Sequence, residues 1–235
     1  MDLIFNQIFL FVSMLENGIY LSIFKQSDFY FLYNIEMEVP IWVSNRHIHL
    51  SKEDAEKLYW EWFELTKKND LSQPWQFATE ECLVLKWPKW EISKVRILWP
   101  YRPQTQVEIL MADQFKLWVM APIRLSGDLK WSAWITIVAP NWNEITIDEW
   151  MIIAKRHVHM LPSDAEAYGV QNNQIVKIKC GWERWLTFDE VVIRVTDTSK
   201  LDTHIDTEEW NAAKLKTGDE AELIADWEIR FYTKN

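Results

Sequence analysis

The chain is short of glycine, cysteine, histidine and positive charge, and each shortage narrows what it can be. Only 5 glycines occur in 235 residues. No Gly-x-Ser-x-Gly elbow stands among them, and no Ser-His-Asp arrangement is evident, so an acyl-enzyme route is not expected. The 2 cysteines, Cys82 and Cys180, lie far apart and outside any metal-spaced motif, which makes a reducing, cytoplasm-like compartment the simpler reading. Lys and Arg number 25 against 35 Asp and Glu, a net charge of −10. No basic stripe is available to neutralise phosphates, which excludes nucleic acid as a partner.

Residues 1–36 are apolar and aromatic, yet they lack what an address or an anchor needs. They have no basic n-region and no small-residue cleavage site, and Asn6, Gln7, Glu16 and Asn17 interrupt the run before a clean span is reached. An interfacial helix would need a strongly charged face, which is also missing. The stretch reads as an appended peptide or an untranslated lead, with the domain opening at Met37.

Against this scarcity, 4 of the 5 histidines stand in two echoing units, Arg46-His47-Ile48-His49 and Arg156-His157-Val158-His159. Side chains at i and i+2 share one face of a strand, whereas on a helix they diverge by about 200°. Each unit can therefore offer two imidazoles to one ion, and neutral imidazole suits zinc. One His-x-His could be a pair of half-buried strand residues, but two copies with similar sequels argue for metal. LSKEDAEKLY follows His49 and MLPSDAEAYG follows His159, each reading as a short helix, with Pro162 suited to a first turn and Gly169 to a C-terminal cap. Farther on, Val107 to Val119 matches Thr203 to Leu215 as a strand running into a helix. That register lays Glu108 on His204. One triad is then His47, His49 and Glu108, and the other His157, His159 and His204. Three ligands leave an open position, as catalytic zinc requires.

The repeat sets the expected organisation: a mainly β chain with short helices, built as two similar small β-barrel domains over 37–145 and 146–235. Val39–Asn45 reads as a strand delivering the first histidine pair, Ser51 as a helix N-cap, and 65–77 as polar loop. Residues 82–87 and 91–99 read as a hairpin, 122–128 as a loop, and 134–140, IVKIKC, LTFDEVVIRVTD and AELIADWEIRF as strands. Arg102, six residues before Glu108, is a candidate anion clamp because its planar fork matches phosphate or carboxylate.

Together VSNRHIHLS, ELTKKNDLSQPWQFATEE, VRILWPYRPQTQVEI, RLSGDL, RHVHM and HIDTEEWNAA resemble the phosphate propanoyltransferases, phosphotransacylases associated with bacterial microcompartments. The similarity runs from about Pro40 to about Ile224. It implies a two-barrel enzyme with two zinc ions per chain, held by the two triads, that interconverts acyl-CoA and phosphate with acyl phosphate and CoA. It also implies phosphate on Arg102, and CoA on Val43, Ser44, Asn45, Lys89, Arg96 and Asn211. The acyl group would be short, propanoyl or acetyl, as in propanediol degradation. A cytoplasmic place, inside a microcompartment or not, a shell contact through residues 1–36 and a homo-oligomer all stay open, and a membrane is not expected. Two rivals use the same ligands: a zinc-dependent acyl-CoA thioester hydrolase with water as nucleophile, and a non-catalytic zinc-stabilised scaffold. The scaffold would need a fourth ligand per site, and the sequence offers no sixth histidine or cysteine pair for it.

One abundance runs against the family. There are 16 tryptophans. Trp87 and Trp90 bracket Pro88-Lys89, Trp131 and Trp134 bracket Ser132-Ala133, and Trp182 and Trp185 bracket Glu183-Arg184, all turn-like sites where glycine is the usual choice. Trp60 follows the first helix as Gly169 follows its counterpart. In the resembling family glycine is also expected at Trp42, Trp75, Trp87, Trp90, Trp99 and Trp118.

Overall fold

A computed structural model describes residues 9–15, 18–24, 37–181 and 183–225. Near the N-terminus β1 (Phe9–Leu15) and β2 (Gly18–Phe24) pair antiparallel, from Phe9↔Phe24 to Leu15↔Gly18. The rest of residues 1–36 lies outside the described residues. The chain continues through β3 (Met37–Ser44), β4 (His47–His49), α1 (Lys52–Leu58), β5 (Lys67–Asp70), β6 (Phe77–Trp87), β7 (Trp90–Trp99), β8 (Gln106–Ile109), α2 (Met111–Leu117) and β9 (Ile123–Arg124). Then come β10 (Ala133–Val138), β11 (Glu144–Ala154), β12 (His157–Met160), α3 (Pro162–Ala167), β13 (Ile175–Cys180), β14 (Leu186–Val195), β15 (Asp202–Asp206), α4 (Thr207–Ala213) and β16 (Glu220–Ile224).

The strands close into two six-stranded barrels. In the first, the circuit is β11-β8-β4-β7-β6-β10 and back to β11. In the second it is β3-β15-β12-β14-β13-β16. The circuits superpose element for element, so the internal repeat is a repeat of topology. Closure removes the sheet edges that would otherwise leave unpaired N–H and C=O groups.

The barrels do not follow one cut of the chain. β3, which leads into the first histidine strand, runs parallel to β15 of the second barrel, with Ile41 opposite Thr203. β11, which leads toward the second histidine strand, runs parallel to β8 of the first, with Met151 opposite Val107. Each barrel thus takes its sixth strand from the segment preceding the other barrel's histidine motif. A cut at 145/146 passes through β11, and each barrel draws strands from both sides of it. The exchanged strands supply core to the barrels they join: Val39 and Ile41 are fully buried from β3, as are Met151 and Ile152 from β11. Fully burying such a side chain is worth about 1.5–3 kcal/mol.

The helices start as their sequences dictate. Ser51 Oγ accepts from Asp54 N at 3.1 Å, capping α1. Asp54 does not return the bond to its cap; its carboxylate accepts instead from Thr105 Oγ1 at 2.6 Å. Pro162 occupies the first turn of α3, and Gly169 follows its end with a φ of 61°. Three strands depart from the sequence expectation. β5 lies inside the segment read as polar loop; its Lys-Lys-Asn-Asp is entirely exposed at a sheet margin, where charged side chains deter further pairing. β9 is a two-residue strand within the 122–128 loop. β11, the longest strand of its barrel together with β6, has a bulge against β10 that interrupts its alternation. The closing strand is Glu220–Ile224, and residues 226–231 of the expected strand lie outside the described residues.

Candidate metal and anion site

Alternation along β4 and β12 separates two jobs. Ile48 and Val158 point into the barrel cores and are fully buried, while the flanking histidines turn the other way, into one cleft of about 380 Å³ that both barrels line. β8 and β15 deliver the third residue by antiparallel pairing, with His47 opposite Glu108 and His157 opposite His204. The register is identical in the two barrels, as the repeat predicts. The donor atoms of His47, His49 and Glu108 lie within 4.8 Å of one another, and so do those of His157, His159 and His204.

The backbone also sets the tautomers. His47 Nδ1 stands 2.7 Å from Asn45 O, and His157 Nδ1 stands 2.8 Å from Lys155 O. Only a protonated Nδ1 can donate there, which in the neutral ring leaves Nε2 as a lone pair facing its triad. His157 Nε2 and His159 Nε2 are 3.1 Å apart, and the three rings of that triad have centroids 4.7 to 5.1 Å apart. Burial, then the neighbouring imidazoles, push His157 down to about 3 and His159 down to about 2. These rings stay neutral at pH 7, the form that ligates a cation. In the first barrel burial also opposes charge on His47, but the Glu108 carboxylate, 3.3 Å away, outweighs it and holds His47 above its ordinary value. The same contacts hold Glu108 well below the usual carboxylate range against the opposing effect of its own burial. Converging neutral imidazole nitrogens and one ionised carboxylate form donor sets that fit a divalent metal of the zinc kind.

The arginines of the two Arg-His-x-His units have a structural role. Arg46 Nε bonds Asp113 Oδ2 at 2.7 Å, and Arg156 Nε bonds Glu209 Oε1 at 2.7 Å. Asp113 and Glu209 are each the third residue of the helix that follows the third-ligand strand, and each also accepts from the residue preceding its helix. One ion pair per barrel therefore ties the histidine strand to the helix beyond Glu108 or His204.

Arg102 enters the cleft from the other side. Its guanidinium donates to Ser126 Oγ at 2.8 Å and to His49 Nε2 at 3.1 Å, which aims the fork at the first triad. Gln106 fixes Ser126 in turn, donating to its Oγ at 2.8 Å and accepting from Gly127 N at 2.8 Å. Burial lowers the pKa of Arg102 and that of Arg194, and Arg194 lowers Arg102 further. Two half-desolvated guanidiniums facing one cavity make a site for an anion.

The cleft brings together most of the residues singled out from the sequence: Val43, Ser44, Asn45, Arg96 and Arg102, with both triads. Arg96 bonds the backbone carbonyls of Thr79 and Glu80. Lys89 and Asn211 are not brought to it; both are exposed, Lys89 at the β6–β7 turn and Asn211 on α4. Arg194, Ser126, Gln106, Gln73 and Gln76 were not anticipated. Arg194 lies opposite His159 and Arg96 opposite His47, each on the strand parallel to a histidine strand, but opposite different histidines of their motifs, so matching the repeats places Val192 and not Arg194 on Arg96. The polar residues reach the site from loops and a neighbouring strand, without a periodicity of their own.

A family model described as phosphate propanoyltransferase matches residues 40–216. A phosphate propanoyltransferase of Thermotoga maritima is 45% identical over 207 residues, which is 88% of this chain and 97% of that protein. That of Priestia megaterium is 51% identical over 181 residues, 77% and 83% respectively. That of Clostridioides difficile is 44% identical over 189 residues, 80% and 90%.

Proposed function

The chain belongs to the phosphate propanoyltransferase family, and from that premise we propose that it is a phosphotransacylase, moving a short acyl group, propanoyl or acetyl, between CoA and inorganic phosphate. The observation that carries the proposal is the shared cleft: two donor triads in one register, with the Arg102 fork held beside the first by Ser126.

In the direction of acyl phosphate formation a phosphate oxygen attacks the thioester carbonyl. The new C–O bond forms as the C–S bond breaks, and the phosphate proton ends on the CoA sulfur. Arg102 and Arg194 bind the phosphate and offset its charge, so the nucleophile is held rather than met by diffusion. The guanidinium of Arg102 is fixed before substrate arrives, and no reorganisation is needed as negative charge moves across the cleft. Val43, Ser44, Asn45 and Arg96, which line the same cleft, would hold CoA, and Lys89 and Asn211 would meet its distal parts from outside. His47, His49 and Glu108 would hold one zinc and His157, His159 and His204 another. Bound there, zinc would supply a Lewis acid for the carbonyl oxygen and a soft partner for the thiolate.

Among the described residues no helix is long and apolar enough to cross a membrane. The proposed setting is the cytoplasm, with enclosure in a microcompartment as its narrower form.

The test is release of CoA from propanoyl-CoA with and without phosphate, with acyl phosphate trapped as its hydroxamate. Strict phosphate dependence with stoichiometric hydroxamate is expected. Release of CoA and free acid without phosphate would instead make the protein a hydrolase, and no release at all with two metals bound would make the triads structural.

A further inference from the structure

Tryptophan is the largest side chain and is ordinarily a core residue, yet of the 14 tryptophans among the described residues none is buried. Among the described residues, six of the ten non-glycine positions with positive φ are tryptophan: Trp62 (65°), Trp75 (63°), Trp118 (54°), Trp131 (60°), Trp142 (71°) and Trp150 (92°). A bulky residue in that region is a genuine outlier, because its Cβ crowds the backbone. The glycines of the barrels, Gly127, Gly169, Gly181 and Gly218, also have positive φ. The two residue types therefore share one conformational role in this chain.

The local structures are those that call for glycine. Gln76 N donates to Gln73 O at 3.3 Å, closing a turn with Pro74 at its second position and Trp75 at its third. With Pro at i+1, positive φ at i+2 is the type II turn, which takes glycine there. Trp62 and Trp131 stand at the same third position, in turns closed by Phe63 N to Trp60 O and Ser132 N to Leu129 O. Trp118 is the left-handed cap of α2, where Val119 N reaches back to Gln114 O at 3.1 Å. Trp142 ends the β10–β11 loop: Trp142 N bonds Ala139 O and Ala139 N bonds Asn143 O, the arrangement in which a left-handed glycine forms the bulge. Trp150 sits in the interrupted register of β11, at a φ beyond the left-handed well. Trp75, Trp131 and Trp142 are each more than 85% exposed, so packing gives the indole no compensating role.

We infer that these six positions are glycine in the natural protein, encoded by UGA codons that its source reads as glycine. A single codon accounts for all six sites: UGA is read as tryptophan under one genetic code and as glycine under another, so translating it in the first sense puts tryptophan wherever the source places such a glycine. Unrelated substitutions would have scattered over several residue types. Four different devices, turn, helix cap, hairpin bulge and strand bulge, have each received the same one.

Two measurements test this on the full chain. In the first, Trp62, Trp75, Trp118, Trp131, Trp142 and Trp150 are all changed to Gly, and in a second variant all six are changed to Ala, which removes the indoles but keeps the Cβ. The Gly variant is expected to melt on the order of 10 °C above the parent and clearly above the Ala variant. If the parent is recovered only as aggregate, soluble recovery of the Gly variant and not of the Ala variant is the equivalent result. An Ala variant as stable as the Gly variant would overturn the backbone argument. In the second, peptide mass spectrometry of the protein from its source and sequencing of its gene are compared. Glycine residues over UGA codons are expected at all six positions, and tryptophan over UGG at any of them overturns the inference for the set.

Discussion

The two barrels present the same strand pairing to triads of opposite electrical character. In the first, the third residue is Glu108, whose carboxylate stands 3.3 Å from His47 Nε2 and holds that ring above its ordinary pKa. In the second, the third residue is His204, and His157 and His159 are driven toward neutrality by burial and by each other. With a dication bound, the first site carries one positive charge less than the second. The first is also the more closed, with all three ligands buried, whereas His204 is half-buried and touches Ser72 Oγ at 3.3 Å. One backbone device can thus hold two ions whose remaining charge and access differ, which suits a reaction with one hard oxygen nucleophile and one soft sulfur leaving group.

The largest expected effect comes from removing either site outright. His47→Ala and His157→Ala should each lose one metal per chain by elemental analysis, with turnover falling on the order of 10³-fold. Retention of two metals in both variants would break the assignment of the triads. A subtler change exchanges the characters: Glu108→His makes the first triad all-imidazole. Metal content should stay at two per chain while turnover falls by about 10- to 100-fold. In the metal-free variant His47 has lost the carboxylate that raises it, so its NMR titration should move to lower pH. An unmoved titration would mean that Glu108 is not what separates the barrels.

Arg102→Lys keeps the charge and loses the fork. KM for phosphate is expected to rise about tenfold or more with KM for CoA nearly unchanged, read from paired steady-state titrations. Equal rises would remove Arg102 from the phosphate site. The smallest difference lies in the ion pairs behind the motifs. Asp113 is almost fully buried and Glu209 less so. Arg46→Ala should therefore destabilise by about 2 kcal/mol and Arg156→Ala by about 1 kcal/mol, after allowance for the partial exposure of both arginines. Chemical denaturation with metal content held constant measures the difference, and a reversed order would show that helix docking differs between the barrels.

Much of the site was legible because it is local or repeated. His-x-His needs only the two-residue period of a strand, and Glu108 followed from matching strand-helix units 96 residues apart in sequence. Arg194 went unseen because the same 96-residue offset lays Val192 on Arg96 and Arg194 on Leu98: the strands are in step, and the arginine sits two residues farther along its strand than in the first barrel. Lys89 and Asn211 show the opposite limit. Family likeness names them, and the residues lining the cleft do not include them.

By itself the sequence determined the strand periodicity, the helix starts at Ser51 and Pro162, the two triads and, of the tryptophans it singled out, the left-handed backbone at Trp75, Trp118 and Trp131 but not at Trp42, Trp60, Trp87, Trp90, Trp99, Trp134 or Trp185, since each depends on residues a few positions apart or on an echo that can be counted. Only the tertiary structure decided which barrel each strand belongs to. β3 and β11 carry ordinary apolar alternation that either barrel could bury, and the parallel partners that settle the choice, β15 and β8, are chosen by barrel closure. The cleft exists for the same reason: exchanging these two strands joins the barrels through the short segments that carry Asn45 and Arg156, and lets both histidine motifs line one cavity.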